Sequence, residues 1–201
     1  MKILVLSPYP DKISQIIVSA GDEIIAAYEG PMDADILSFT EMVVSYGYRH
    51  IVPPHLIIPG KIINIHNSYL PWNRGADSNF WSWHDDTPKG VTIHQMDERI
   101  DTGPILSQVR FPLDPRMTLK MSYGVSRAAA ESLFIGAWSS IRNQTVPPYP
   151  QAGLGTSHRK KDREAIWPNF PLGWDTPVKD VEEFGRRSRD EHGQRAGSSG
   201  A

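Results

Sequence analysis

Short runs of β-branched and other apolar residues alternate along this chain with stretches of helical period, and that alternation constrains the fold more than any other feature. Lys2-Ile3-Leu4-Val5-Leu6 is a compact apolar run stopped by Ser7-Pro8-Tyr9-Pro10, the pattern of a buried strand ended by a turn. From Asp11 the residues Ile13, Ile16, Ile17 and Ala20 fall at helical spacing, with Asp11 placed to cap the helix and Gly21 to end it. Strands are predicted at Glu23–Tyr28 and Glu41–Tyr46, while Ala34–Phe39 is ambiguous in type. After the turn Ile57-Ile58-Pro59-Gly60, the β-branched run Lys61-Ile62-Ile63-Asn64-Ile65-His66 predicts another core strand. A helix is expected over Ala76–His84 and a strand over Gly90–Met96. The longest helix is expected over Leu119–Arg142, packing Leu119, Met121, Val125, Ala129, Leu133, Ile135 and Trp138 across the sheet. Strands and helices in this order predict an α/β fold with a mostly parallel sheet and flanking helices.

Composition narrows what such a fold can do. At 201 residues the chain suits one well-filled core, and a net charge of -2 gives no electrostatic footprint for coating nucleic acid or an anionic membrane. The absence of cysteine excludes disulfides and thiolate chemistry and is compatible with a reducing, cytoplasmic setting. No targeting pattern opens the chain, and no apolar run reaches the ~18 residues of a spanning helix. Beyond Thr145 the character changes: Pro147-Pro148-Tyr149-Pro150 is a stiff connector. The expected organisation is one domain over 1–145, an extension over 146–185 packing on it, and a disordered tail over 186–201 whose last five residues read as an expression remnant.

Chemistry concentrates between Asn64 and Gln108. Alternation along a strand puts Asn64 and His66 on one face and Ile63 and Ile65 on the other. His94 lies on the next strand, and Asp97 and Asp101 follow it, where α/β sheets place ligands beyond strand ends. An amide, an imidazole and a carboxylate suit acyl chemistry: oxyanion stabilisation, proton transfer and control of the imidazole. No protein nucleophile is apparent, because Ser68 lacks a Gly-x-Ser-x-Gly elbow. Metal binding by His66, His94 and Asp101 finds no supporting ligand motif. From pattern alone, a satisfied polar pair near a strand end explains Asn64 and His66 equally well, a backbone hydrogen bond explains His94, and loop turning explains Asp97.

Asn64-Ile65-His66-Asn67-Ser68-Tyr69-Leu70-Pro71-Trp72-Asn73-Arg74-Gly75, then Gly90-Val91-Thr92-Ile93-His94, then Ile100-Asp101-Thr102-Gly103-Pro104-Ile105-Leu106-Ser107-Gln108, resembles the folate-dependent formyltransferase family. The resemblance implies a Rossmann-like domain that moves a formyl group from 10-formyltetrahydrofolate to an amine without a metal. It implies that Asn64 holds the formyl oxygen, His66 polarises it and assists proton transfer, and Asp101 pairs with the histidine. It further implies a pterin held by Tyr48, Arg49, His50, Ile51 and Val52 and by a loop containing Asp97 and Ile100, with Leu70 walling the pocket, and a homodimer.

The acceptor is read by elimination within that family. Ser7-Pro8-Tyr9-Pro10-Asp11 replaces the Gly-rich phosphate loop of purine-pathway members, and the charge and the ~50 residues after the connector do not suit transfer-RNA binding. Small amines remain, and Leu70–Gly75 with Asn79-Phe80-Trp81-Ser82-Trp83 looks most like members acting on amino sugars, often nucleotide-linked. Arg74 and Trp72 are candidate acceptor contacts, although a loop arginine equally serves as a structural donor. Phe80, Trp81 and Trp83 are expected in the core, and Lys160 and Lys161 beside His158 on a solvated face. The N-terminal half, with 63 residues before Asn64, is abbreviated for the family, and a folate-binding or folate-hydrolysing relative is the rival reading.

Overall fold

The structure, a computed structural model, describes the backbone of residues 1–198 and the side chains as far as Glu191. In chain order it contains β1 (Lys2–Leu6), α1 (Asp11–Ser19), β2 (Glu23–Tyr28), α2 (Ala34–Ser38), β3 (Met42–Tyr46) and β4 (Ile62–His66). There follow β5 (Arg74–Gly75), α3 (Ser78–His84), β6 (Gly90–Gln95), β7 (Ile105–Arg110), α4 (Leu119–Arg142), β8 (Ser157–His158), α5 (Lys160–Ile166) and α6 (Val178–Ser198). Six strands form one sheet in the order β2-β1-β3-β4-β6-β7.

The first four strands of that sheet are parallel, as strand–helix alternation predicts. β6 runs against both neighbours, so β7 again points with the first four. Periodicity carries no information about strand direction. Here His66, the last residue of β4, pairs with Thr92 near the start of β6, so the chain leaves and re-enters the sheet at the same end. α3, seven residues and about 10 Å long, does not carry the chain across. β7 was not anticipated from sequence.

Two cores flank the sheet. On one face α1 and α4 pack Ile13, Phe134, Trp138 and Ile141 against Ile3, Val5, Val44, Ile63 and Ile65. On the other, Leu37, Val52 and Leu56 cover Leu4, Leu6, Val43 and Ile62. Ile62 shares its face with Asn64 and His66, so the candidate site opens on this second side.

Two local expectations need correction. Pro10, not Asp11, occupies the N-cap of α1, and no side chain caps that helix; Asp11 is its first residue, favourably placed at the positive end of the helix dipole. The bounds of α4 match, and its inner face matches in part: Leu119 and Trp138 are buried and Ala129 and Leu133 pack against the core, but Met121, Val125 and Ile135 are exposed, and Ser122, Ser126, Ala130, Phe134, Ala137 and Ile141 are buried as well. The helix has apolar residues all round, and its buried side is chosen by closeness and by polar pairing. Ser122 Oγ accepts from Asn79 Nδ2 at 3.0 Å and from Trp83 Nε1 at 3.2 Å, which makes a serine acceptable inside.

The chain beyond Thr145 is built into the same body. β8 pairs with β5, and Phe170, Val178 and Val181 close over Phe80, Trp81, Trp83 and Leu119 to form a third cluster. The aromatic residues of α3 are therefore core, as expected. Residues 186–198, read from composition as a tail, continue α6, and the remainder to 201 lies outside the described residues. Among the described residues no helix is long and apolar enough to cross a membrane.

Candidate active site

β4 lies between β3 and β6, and this register sets the site. Asn64 stands directly opposite Ser45 on one side and His94 on the other. Ser45 Oγ donates to Asn64 Oδ1 at 2.9 Å, which orients the amide. Its Nδ2 then points to Asp101 Oδ1 at 3.2 Å and to His94 Nε2 at 3.3 Å, both long for N–H donors. His94 Nδ1 donates to the Gln95 carbonyl at 2.8 Å, while its Nε2 lies between the Asn64 amide and Asp101 Oδ1. His66 Nε2 lies 3.0 Å from the Asn73 carbonyl, which can only accept, so that nitrogen carries hydrogen. The other ring nitrogen faces Asp101 Oδ2 at 3.6 Å.

Asp101 is the hub of the group. Its Oδ2 accepts from the Gly75 backbone N–H at 2.8 Å, and its Oδ1 lies 3.4 Å from His94 Nε2. Burial by itself raises a carboxyl, but its pairing with His66 and with His94, together with the Gly75 N–H, outweighs it and holds Asp101 well below the usual carboxylate range. The side chain is only 12% exposed, so a fixed negative charge sits in a largely dry setting beside two imidazoles.

The loop bearing Asp101 arrives from an unexpected direction. Because β6 is reversed, its carboxyl end lies beside the amino end of β4, where Met96 N–H bonds the Ile62 carbonyl at 2.9 Å. The loop then folds back over the sheet face. Asp97 shapes it, Oδ1 accepting from Arg99 N–H at 3.0 Å and from Thr102 Oγ1 at 2.6 Å. Asp101 adopts a left-handed backbone with φ 52°, and a Cβ at Gly103 would overlap the Gln95 carbonyl. The site is thus over the face of β4 and not simply beyond the carboxyl ends of the strands.

The remaining sequence candidates are placed as follows. Tyr48–Val52 follows β3; among the described residues nothing hydrogen-bonds to the backbone of these five, and Ile51 is exposed while Val52 is buried. Tyr48 Oη donates to the Gly30 carbonyl at 2.9 Å, its ring 5.4 Å from His50, and Arg49 pairs loosely with Glu29. Leu70 is buried, Ile100 exposed and Trp72 half-buried. Arg74 donates from Nε and Nη2 to Gln151 Oε1 and from Nη1 to the Leu154 carbonyl, the structural use of a loop arginine. Neither it nor the Trp72 side chain bonds to the Asn64–His66–Asp101 group. His158 is held by Asp85 at 2.7 Å, away from any anion role, and Lys160 pairs with Glu164 on the surface.

The structure therefore unites Asn64, His66 and Asp101 and adds His94, Ser45, Asn73 and Gly75. His94 was read from sequence as structural, and its Nδ1 bond to Gln95 is of that kind; its other nitrogen belongs to the site. Among the described residues no group of three or more His, Asp or Glu is arranged to hold a metal ion. An oriented amide donor, an imidazole and an ionised carboxylate can stabilise charge on a carbonyl oxygen and manage a proton nearby.

Residues 27–137 match the formyl transferase family. The methionyl-tRNA formyltransferase of Synechococcus sp. (strain JA-3-3Ab) is 32% identical over 165 residues, 78% of this chain and 47% of that protein. The dTDP-4-amino-4,6-dideoxyglucose formyltransferase of Mycobacterium bovis (strain ATCC BAA-935 / AF2122/97) is 27% identical over 133 residues, 66% of this chain and 57% of that protein. The chain spans about half the length of these curated relatives. The crystal structure of the formyltransferase PseJ from Anoxybacillus kamchatkensis, in complex with UDP-4,6-dideoxy-4-formamido-L-AltNAc and tetrahydrofolate, is similar with a TM-score of 0.87 and 37% identity, over 92% of this chain and 100% of that one. With a match over more than half its residues and a likeness to PseJ along the whole of that chain, this chain belongs to the formyl transferase family.

Proposed function

We propose that the chain is an N-formyltransferase that moves the formyl group of 10-formyltetrahydrofolate to the primary amine of a small acceptor, an amino sugar carried on a nucleotide. The observation that carries this reading is the convergence of Asn64, His66 and Asp101 on one sheet face, with the amide hydrogens of Asn64 on long bonds that yield readily to a better acceptor. The likeness to PseJ at 37% identity supports the acceptor class. The free backbone groups of Tyr48, Arg49, His50, Ile51 and Val52 suit the donors and acceptors of a pterin ring, and this reading assigns Leu70, Asp97 and Ile100 to its remaining contacts.

The bound folate supplies an activated formyl group. As the neutral acceptor amine attacks the formyl carbon, negative charge grows on the formyl oxygen, and Asn64 Nδ2 donates to it. Ser45 keeps the amide from rotating away. His66, anchored through Nε2 by Asn73, offers its other nitrogen to the proton that the amine loses, and the Asp101 carboxylate stabilises the resulting imidazolium. The carbon–nitrogen bond to the acceptor forms, the one to the folate nitrogen breaks, and that nitrogen gains a proton, so charge and protons balance.

Incubation with 10-formyltetrahydrofolate and a panel of amino nucleotide sugars, free amino sugars, glycinamide ribonucleotide and free amines tests the proposal. Tetrahydrofolate release that requires a nucleotide-linked amino sugar, with a product heavier by one formyl group, is expected. Release without any amine would make the chain a hydrolase and contradict the proposal.

A further inference from the structure

We infer that Gln151 is a positioning residue that holds Asp101 in its working geometry, an inference that rests on the reading of the Asn64–His66–Asp101 group given above. Gln151 comes after α4, in a segment fastened to the sheet edge by reciprocal backbone bonds between Ile105 and Tyr149 at 2.8 and 3.0 Å. Its Nε2 donates to two carbonyls of the catalytic loop, Asp101 at 2.8 Å and Gly103 at 2.9 Å. Those carbonyls bracket Thr102, so one amide spans the turn that follows the left-handed Asp101. A non-glycine residue with φ 52° persists only where its surroundings fix it, and these two bonds are the fixing contacts on the carbonyl side.

The amide of Gln151 is itself held. Arg74 forks onto its Oε1 from Nε at 3.0 Å and Nη2 at 2.7 Å, and Arg74 Nη1 reaches the Leu154 carbonyl at 3.3 Å. Arg74 is also the neighbour of Gly75, whose N–H holds the Asp101 carboxylate at 2.8 Å. Backbone and side chain of Asp101 are thus clamped from the same two-residue strand, β5: the carboxylate by Gly75 directly, the backbone by Arg74 through Gln151. Loss of the brace lets Asp101 shift relative to Asn64 Nδ2 and His66. A misplacement of about 1 Å at such a site costs about a hundredfold in rate.

Gln151→Ala is expected to lower kcat about ten- to a hundredfold while the KM for folate stays within about threefold, because no reacting group is removed. Gln151→Glu separates the two halves of the brace: it keeps an oxygen for Arg74 and loses both donors, so it should behave like Gln151→Ala. Amide hydrogen exchange over residues 97–105 should accelerate in both variants and remain unchanged in α4. In an Asp101→Asn background, Gln151→Ala should add little, since both act through the same carboxylate. Unchanged exchange in the loop, wild-type kcat in Gln151→Glu, or a full additive loss in the Asp101→Asn background would each overturn the inference. The exchange arm needs no turnover. A wild-type protein that transfers no formyl group therefore refutes the proposed function, while the exchange result still decides whether Gln151 braces the loop.

Discussion

Asp101 combines a buried position with a depressed carboxyl, and the direction of that shift fixes a pH dependence. A carboxyl held below its unfolded value, about 3.9, contributes stability that is fully present above that pH and is lost as pH falls toward the folded value. The stability difference between wild type and Asp101→Asn is therefore expected to shrink as pH falls below about 4, as read by urea unfolding at each pH. A difference that grows on acidification would contradict the assigned charge state. At this scale much was legible. Asn64 and His66 two apart on a β-branched strand announced a shared face, and the family resemblance singled out Asp101. His94 was not legible as a site residue, because its partnership with Asn64 depends on a register between strands thirty positions apart. Gln151 was hidden for the same reason: it lies fifty residues from the carbonyl it holds.

Elements were legible where local pattern decides them and illegible where neighbours do. β1, β2, β4 and the bounds of α4 follow from apolar runs and stop signals. The reversal of β6 and the inner face of α4 follow from packing. The face of α4 can be tested by a pair of substitutions one residue apart. Phe134 is fully buried and Ile135 is 55% exposed. Phe134→Ala should cost about 3–5 kcal/mol by urea denaturation, and Ile135→Ala should stay within about 0.5 kcal/mol. Equal effects would mean that α4 is rotated from the described orientation.

The whole molecule is more continuous than its composition suggests. The change of character at Pro147 looks like the edge of a domain, yet the segment after it supplies β8, the Gln151 bonds to the Asp101 and Gly103 carbonyls and the residues that cover Phe80 and Trp81. A stiff proline stretch marks a change in local conformation and says nothing about what the chain meets afterward. A chain cut after Thr145 is expected to expose the third cluster, bind hydrophobic dye and lose its cooperative thermal transition. A truncated chain with a sharp transition and undiminished folate affinity would instead make residues 1–145 self-sufficient.

In the proposed transfer the Asn64 amide acts on charge that develops during the reaction and not on binding. Comparing kcat with folate affinity in Asn64→Ala measures this directly. The account predicts about a hundredfold loss in kcat, equivalent to about 3 kcal/mol, with the folate dissociation constant within about threefold of wild type. A kcat left intact, or a loss confined to folate affinity, would contradict it.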